Sequence, residues 1–365
     1  MQALIDGIVF QNTYQKGIQR YWREVITRIS TIENVGISLL MEERSAVSLP
    51  SRAEIVDRSD WVWHADESRV KRLARKVRRN ICPRRIPFSN LFHSTYYTHS
   101  PVPGLPTVVT VYDMIPEAMP HFFAANADAE INKKRNCILT AQAIITISES
   151  TKADLMRVYP EVSDRITAIP LGVDHLHVET NALRETISQN EMPYVLFVGD
   201  RAGYKNFATL VEALCLREWD AEVGVVVVGK PFSEAERTWL HYRGVSEKII
   251  HRGKVSDDEL KEIYLAAKVF VFPSLMEGFG LPILEAQSLG VPIVASDIPA
   301  FHEIGGDAFV PFPALDALKL AEAVARVMDP MVSASLKEKA ANNVRRFSWD
   351  RCAEETYKVW STFLP

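Results

Sequence analysis

The chain has 365 residues, 47% hydrophobic and 24% charged, with a formal charge of −4. That length favours two domains over one, and the hydrophobic share supplies a large core without disulfide staples. Net negative charge argues against nucleic acid as the main partner. Four scattered cysteines (Cys82, Cys137, Cys215, Cys352) without CxxC spacing argue against a disulfide framework or a zinc site, and fit a reducing compartment.

The first residues, MQALIDGIVFQNTYQK, lack the basic start and long apolar run of a secretory signal. No apolar stretch approaches the roughly 18–20 residues of a membrane span, so a cytoplasmic location is expected. Residues 3–10 predict a strand, the loop 11–17 leads into a helix over 18–29, and 36–41 predict a second strand. Residues 45–66 carry no clear period and are expected to be mostly loop. Over 66–81, Val70, Leu73, Ala74, Val77 and Ile81 recur at helical spacing. Arg69, Lys71, Arg72, Arg75, Lys76, Arg78 and Arg79 cover the other faces, which describes an amphipathic helix with a basic side. Its charges are either simply solvated or rest on anionic lipid headgroups; docking of the apolar stripe on protein is compatible with both.

Strands are predicted at 91–93, 107–111, 143–147 and 165–169, with helices over 125–142 and 148–158, the second N-capped by Ser148. This alternation builds a parallel sheet with helices on both faces. Residues 1–175 form a first, acceptor-side domain, and the polar, weakly periodic stretch 176–193 a linker. A second α/β series over 194–347 places strands at 194–199, 223–228, 249–251, 269–272, 292–295 and 308–310. The fold class is therefore α/β, with two doubly wound Rossmann-like parallel-sheet domains facing across a cleft. Residues 348–365 form a last helix whose Trp349, Cys352, Tyr357, Trp360 and Phe363 offer apolar surface; it is expected to return to the first domain.

Three features face the cleft. Loop 199–206, GDRAGYKN, follows a buried strand and sets Arg201 and Lys205 beside a helix N-terminus, which suits a diphosphate; two solvated cations are the plainer reading. No GxGxxG is present, which counts against a dinucleotide oxidoreductase. The stretch 269–296, VFVFPSLMEGFGLPILEAQSLGVPIVAS, reads as strand, loop, helix and strand. Gly278 and Gly280 let backbone N–H groups approach a ligand, Pro282 lies in the first helical turn and Gly290 follows the last. Glu277 stands before the helix and Glu285 is expected in its first turn. Glu277 suits sugar hydroxyls, and Glu285, turned sideways, suits a vicinal diol such as a ribose, because a carboxylate only accepts and does so at two oxygens. Complementing the helix dipole is the simpler alternative for Glu285. The third feature is Tyr112 and Asp113 in VTVYDMIP at the end of a first-domain strand, with His93, Ser94, His99 and His121 as further acceptor-side candidates.

EGFGLPILEA followed by GVPIVASDIPAFHEIGGDAFVPF resembles the retaining nucleotide-sugar glycosyltransferases of family four, which have the GT-B fold and a Glu-x7-Glu motif. YVLFVGDRAGYKNFATLVEAL, ITISESTKADL and IPLGVD resemble that family's blocks in its order, so the resemblance covers nearly the whole chain. It implies retaining transfer of a hexose-type sugar from a UDP-, GDP- or dTDP-linked donor to a saccharide, with no bound metal or other cofactor. Arg201 and Lys205 would bind the donor diphosphate, Glu277 the transferred sugar and Glu285 the ribose. Backbone groups of Gly278, Phe279, Gly280, Leu281, Pro282 and Ile283 would hold sugar and phosphate, Lys254 and Val255 would lie beside the base, and Gly17 would approach the phosphates from the first domain. Many relatives have a His where this chain has Tyr112, followed by an Asp matching Asp113. A non-transferring nucleotide-sugar-binding partner subunit and a nucleotide-sugar 2-epimerase on the same fold are the alternatives. Transfer or slow donor hydrolysis separates the first, and donor conversion without an acceptor identifies the second.

Together with the basic stretch 69–79, the resemblance predicts a lipid-linked oligosaccharide acceptor in polysaccharide or O-antigen assembly, reached from the inner face of the cytoplasmic membrane. Each basic residue near an anionic surface contributes about 1 kcal/mol. Vesicles containing anionic lipid are therefore expected to sediment with the protein at low salt and to release it as salt rises. No recruitment at low salt would remove the membrane reading.

Overall fold

The computed structural model describes residues 1–11, 16–41, 54–57, 86–123, 127–173, 192–201 and 203–364. The predicted basic helix and residues 176–191 of the expected linker lie outside them. The first sheet comprises β1 (Gln2–Asp6), β2 (Gly36–Met41), β3 (Glu54–Asp57), β4 (Leu91–Ser94), β5 (Thr107–Val111), β6 (Ala143–Thr146) and β7 (Ile166–Ala168). The second comprises β8 (Tyr194–Val198), β9 (Gly224–Val228), β10 (Ile249–Gly253), β11 (Val269–Phe272), β12 (Ile293–Ser296) and β13 (Val310–Phe312). Their orders are β3-β2-β1-β4-β5-β6-β7 and β10-β9-β8-β11-β12-β13, and the strand pairs are parallel. In each sheet the chain builds outward from its first strand, then returns to that strand's other side, at β4 and at β11. At such a reversal a crevice opens beyond the carboxyl ends of the strands. The α/β architecture of two doubly wound sheets is as the alternation predicts.

Local departures have local causes. The first strand stops at Asp6 instead of running on to residue 10, because the Asp6 carboxylate accepts from Ile8 N–H at 3.2 Å and starts the helical turn Ile8–Gln11. Gly7 allows the chain to pass close against β2 there, since a Cβ would stand 2.7 Å from the Cβ of Met41. The short β3 falls in the stretch expected to be mostly loop; its four residues, EIVD, are too few to show a period. Ser148 does cap helix Glu149–Val158, accepting from Thr151 N–H at 2.9 Å. Asp316 and Asp329 cap the two late helices, Ala317–Met328 and Pro330–Asn343.

The last helix, Trp349–Ser361, packs on helix Lys16–Ile29 of the first half. Trp349 and Trp360 are fully buried, and Arg28 Nε donates to Asp350 Oδ1 at 2.5 Å. The deepest tie is polar. Trp360 Nε1 donates to His93 Nδ1 at 2.8 Å, so the His93 proton sits on Nε2 and faces Thr110 Oγ1 at 3.0 Å. Among the described residues no helix is long and apolar enough to cross a membrane.

Complete burial lowers the His93 pKa to about 3 from an ordinary 6.5. The unfolded chain therefore binds a proton that the native state refuses, and stability falls as pH drops from 6.5 toward 3. Gln at this position keeps one acceptor for Trp360 and one donor for Thr110 but does not titrate. Chemical denaturation of His93→Gln is expected to lose roughly 3 kcal/mol less than the parent between pH 7 and 4.5. Equal losses would show that His93 does not carry this dependence.

Candidate active site

Two loops leave the second sheet at its reversal, 199–206 after β8 and 273–280 after β11. Asn206 joins them. It is buried and left-handed (φ 55), a conformation that Asn tolerates better than most residues. Its Nδ2 donates to the carbonyls of Pro273 (2.9 Å) and Ala314 (2.5 Å), and Leu275 N–H donates to Tyr204 O at 2.8 Å. With the loops so joined, Lys205 Nζ meets Glu277 Oε1 at 2.6 Å, and Ser274 Oγ donates to the same oxygen at 2.7 Å. Burial opposes the Lys205 charge, but Glu277 and the Tyr204 hydroxyl outweigh it and hold the ammonium above its ordinary range. Glu277 Oε2 takes no hydrogen bond from the described residues.

Helix Leu281–Ser288 starts beside this pair. Gly280 adopts φ +103, where side chains are strained, and no side chain caps the helix. Of the backbone positions predicted to hold a ligand, Pro282 has no N–H to offer, and the Ile283 N–H is bonded to Gly280 O at 2.9 Å. The N–H groups of Gly278, Phe279, Gly280 and Leu281 have no partner among the described residues, which leaves a row of donors at the positive end of the helix.

Glu285 is the fifth residue of the helix, not part of its first turn, because the helix begins at Leu281. Its carboxylate accepts from Arg20 Nη1 at 2.7 Å across the cleft and from the Tyr264 hydroxyl at 3.4 Å. Burial raises its pKa, and Arg20 and Tyr264 pull it back. Arg20 was not among the sequence candidates. Its only signal is a place in the first turns of the helix that carries Gly17, and nothing in the sequence pairs it with a residue 265 positions away.

Arg201 is turned to Glu236: Nε donates to Oε1 at 2.7 Å, and Nη1 and Nη2 donate to the carbonyls of Lys230 (2.8 Å) and Pro231 (3.0 Å). Most of its donors thus shape the loops around it, and Lys205 alone reaches Glu277. The Tyr112 hydroxyl donates to Thr95 O at 2.6 Å and accepts from Trp22 Nε1 at 2.7 Å, so its proton is committed inside the first domain. Burial pushes that phenol well above its ordinary range. Asp113 Oδ1 accepts from Ile115 N–H at 3.1 Å. Gly17 is an exposed residue at the start of helix Lys16–Ile29. Lys254, exposed, and Val255 follow β10 and precede Ser256, which caps helix Asp257–Ala266. His93 is structural, as described above.

The two halves meet at Gly278. Its carbonyl accepts from Ser148 Oγ (2.5 Å) and Thr151 Oγ1 (2.8 Å) of the first half. Phe279 is buried in the first core, edge-on to Phe347 at 6.0 Å. Farther out, Phe123 stacks on Tyr204 at 6.0 Å. Between these contacts lies a cavity of about 520 Å³, lined in part by Tyr96, Tyr97, Asp113, Phe123, Lys134 and Tyr204.

Residues 179–347 match the model of the family described as glycosyl transferases group 1. The matched stretch takes in the whole second sheet, just under half of the chain. It is 26% identical to the O-antigen chain mannosyltransferase B of Escherichia coli, over 94% of this chain and 95% of that one. Sucrose-phosphate synthase from Thermosynechococcus elongatus superposes with a TM-score of 0.75 at 17% identity, covering 99% of this chain and 98% of that one. HepE of Anabaena, in complex with UDP-glucose, superposes at 0.72 and 16% identity, covering 99% of this chain and 100% of that one. These structural likenesses establish the GT-B fold.

A Cβ on Gly278 would stand 1.8 Å from the Tyr112 carbonyl oxygen, a backbone atom that cannot step aside. Gly278→Ala must open the cleft or displace the Glu277 loop. Such misplacement is expected to lower kcat/KM on the order of 100-fold while far-UV circular dichroism stays unchanged. Parent-like kinetics would show that this contact is not needed for turnover.

Proposed function

We propose that this protein is a glycosyltransferase that moves a hexosyl residue, of the mannosyl type, from a nucleotide-sugar donor to a saccharide acceptor with retention of configuration and without a metal. The observation that carries the reading is the Lys205–Glu277 pair, 2.6 Å apart, set beside four N–H groups at a helix start that have no partner among the described residues. That arrangement offers positive charge for a diphosphate and a free carboxylate oxygen for sugar hydroxyls within one loop. Lys205 contacts the diphosphate. Arg201, held by Glu236, fixes the loop and adds charge at longer range. Glu277 Oε2 accepts from the transferred sugar, Glu285 from the ribose, Lys254 and Val255 flank the base, and Gly17 approaches the phosphates from the first domain.

The acceptor enters through the aromatic-lined cavity, where Tyr96, Phe123 and Tyr204 suit a pyranose ring and Asp113 its hydroxyls. The bond from the anomeric carbon to the phosphate oxygen breaks, and the acceptor oxygen bonds to that carbon on the same face. The acceptor proton passes to the departing diphosphate. Preorganised charge where negative charge grows is usually the largest catalytic term. Similarity to an O-antigen mannosyltransferase over nearly the full length supports a role in surface polysaccharide assembly, with a lipid-linked saccharide as the acceptor.

A thermal-shift panel of UDP, GDP and dTDP identifies the base, because a ligand that binds only the native state stabilises it by mass action. With the donor so chosen, Lys205→Ala is expected to lower kcat/KM on the order of 100-fold or more. Near-normal turnover in that variant would remove the diphosphate role, and inversion at the anomeric centre, read by proton NMR of the product, would remove the retaining assignment.

A further inference from the structure

Arg20 and Glu285 come from opposite walls of the cleft, yet they form one of the less exposed ion pairs across it, with side chains 19% and 8% exposed. Arg20 Nη1 donates to Glu285 Oε1 at 2.7 Å, and Nη2 reaches Asp257 Oδ2 at 3.3 Å. Asp257 opens the helix that follows Lys254, Val255 and Ser256, so the guanidinium spans the cleft where the nucleoside end of the donor is proposed to lie. On the opposite side the Tyr264 hydroxyl donates to Glu285 Oε2 at 3.4 Å. Arg20, Asp257 and Tyr264 are the ionisable groups that act on this carboxylate.

The pairing has a chemical consequence. A carboxylate offers about four acceptor positions. Arg20 occupies one on the first oxygen and Tyr264 one on the second, which leaves a position on each for two neighbouring hydroxyls. A protonated carboxyl turns one oxygen into a donor and can no longer accept from both. Burial and the like charge of Asp257 favour the proton; Arg20 and Tyr264 oppose it. Removing the Arg20 cation leaves a buried carboxylate with no opposite charge beside it among the described residues.

We propose that Arg20 is a positioning residue that sets a preference for ribonucleotide over 2′-deoxyribonucleotide donors, by holding Glu285 ionised and oriented across the closed cleft. The inference rests on the assignment of Glu285 to the ribose. Arg20 touches no reacting atom. Its effect lies in donor affinity and in how that affinity varies with pH.

The experiment compares UDP with dUDP and GDP with dGDP by calorimetry at pH 6 and 8.5, for the parent, Arg20→Met, Arg20→Lys and Glu285→Gln. The parent is expected to bind one ribonucleotide on the order of tenfold tighter than its deoxy form. Arg20→Met should lose more of that preference at pH 6 than at pH 8.5, because a higher pH favours the carboxylate whose stabilising cation has been removed. Glu285→Gln should lose it at both. Arg20→Lys keeps the charge but not the fork, so its preference should fall about threefold at both pH values. It also keeps the question open to measurement if the methionine variant fails to fold. A full preference in Arg20→Met at pH 6, or in Arg20→Lys should the methionine variant not fold, overturns the role of Arg20 while the ribose assignment stands. A full preference in Glu285→Gln, or none in the parent, overturns the ribose assignment and the inference with it.

Discussion

The loop that carries Glu277 is held by a backbone contact rather than by a charge. Gly278 lies against the Tyr112 carbonyl with no room for a side chain, and its own carbonyl is claimed by Ser148 and Thr151. The same Ser148 oxygen caps helix Glu149–Val158, so one hydroxyl ends a first-domain helix and receives a second-domain loop. Phe279 then fills a gap in the first core. The loop that carries Glu277 is thus built into both domains, and its distance from Asp113 and the aromatic cavity is set by packing density, which tolerates little change.

Around this contact the charges are paired with an economy that makes the site legible. Glu236 balances Arg201, Glu277 balances Lys205, and Glu285 with Asp257 balances Arg20. Buried charges left alone are costly, and each of these pairs avoids that cost while fixing the orientation of a carboxylate or a cation. Among the described residues, what remains without a counterpart is the row of N–H groups from Gly278 to Leu281. The local field there is positive and no described side chain caps the helix start, which is the condition for holding an anion at a helix end.

The two halves are also bound away from the cleft. Glu303 accepts from the backbone N–H groups of Glu149 and Ser150, both at 2.8 Å, so a second-domain carboxylate completes the N-terminus of a first-domain helix. The last helix lies along helix Lys16–Ile29, and Trp360 reaches His93 in the centre of the first sheet. Because Arg20 belongs to that same helix, the seat of the C-terminal segment and the position of the guanidinium beside Glu285 share one support.

Alternating apolar strands and capped helices determined the two parallel sheets, because the periods of strand and helix are local properties of the chain. The loop with Glu277, Gly278 and Gly280, and the cations after the strand 194–198, were legible for the same reason: each lies within one βα unit, where spacing sets geometry. Only the tertiary structure decided partners. It turned Arg201 to Glu236, placed the Tyr112 proton on Thr95, made His93 an anchor for Trp360 and brought Arg20 to Glu285. Those outcomes depend on how two domains and a returning helix pack. Hydrogen-bond donors and charges in a sequence state what a residue can offer, and which neighbour takes the offer is settled by close packing between segments hundreds of positions apart.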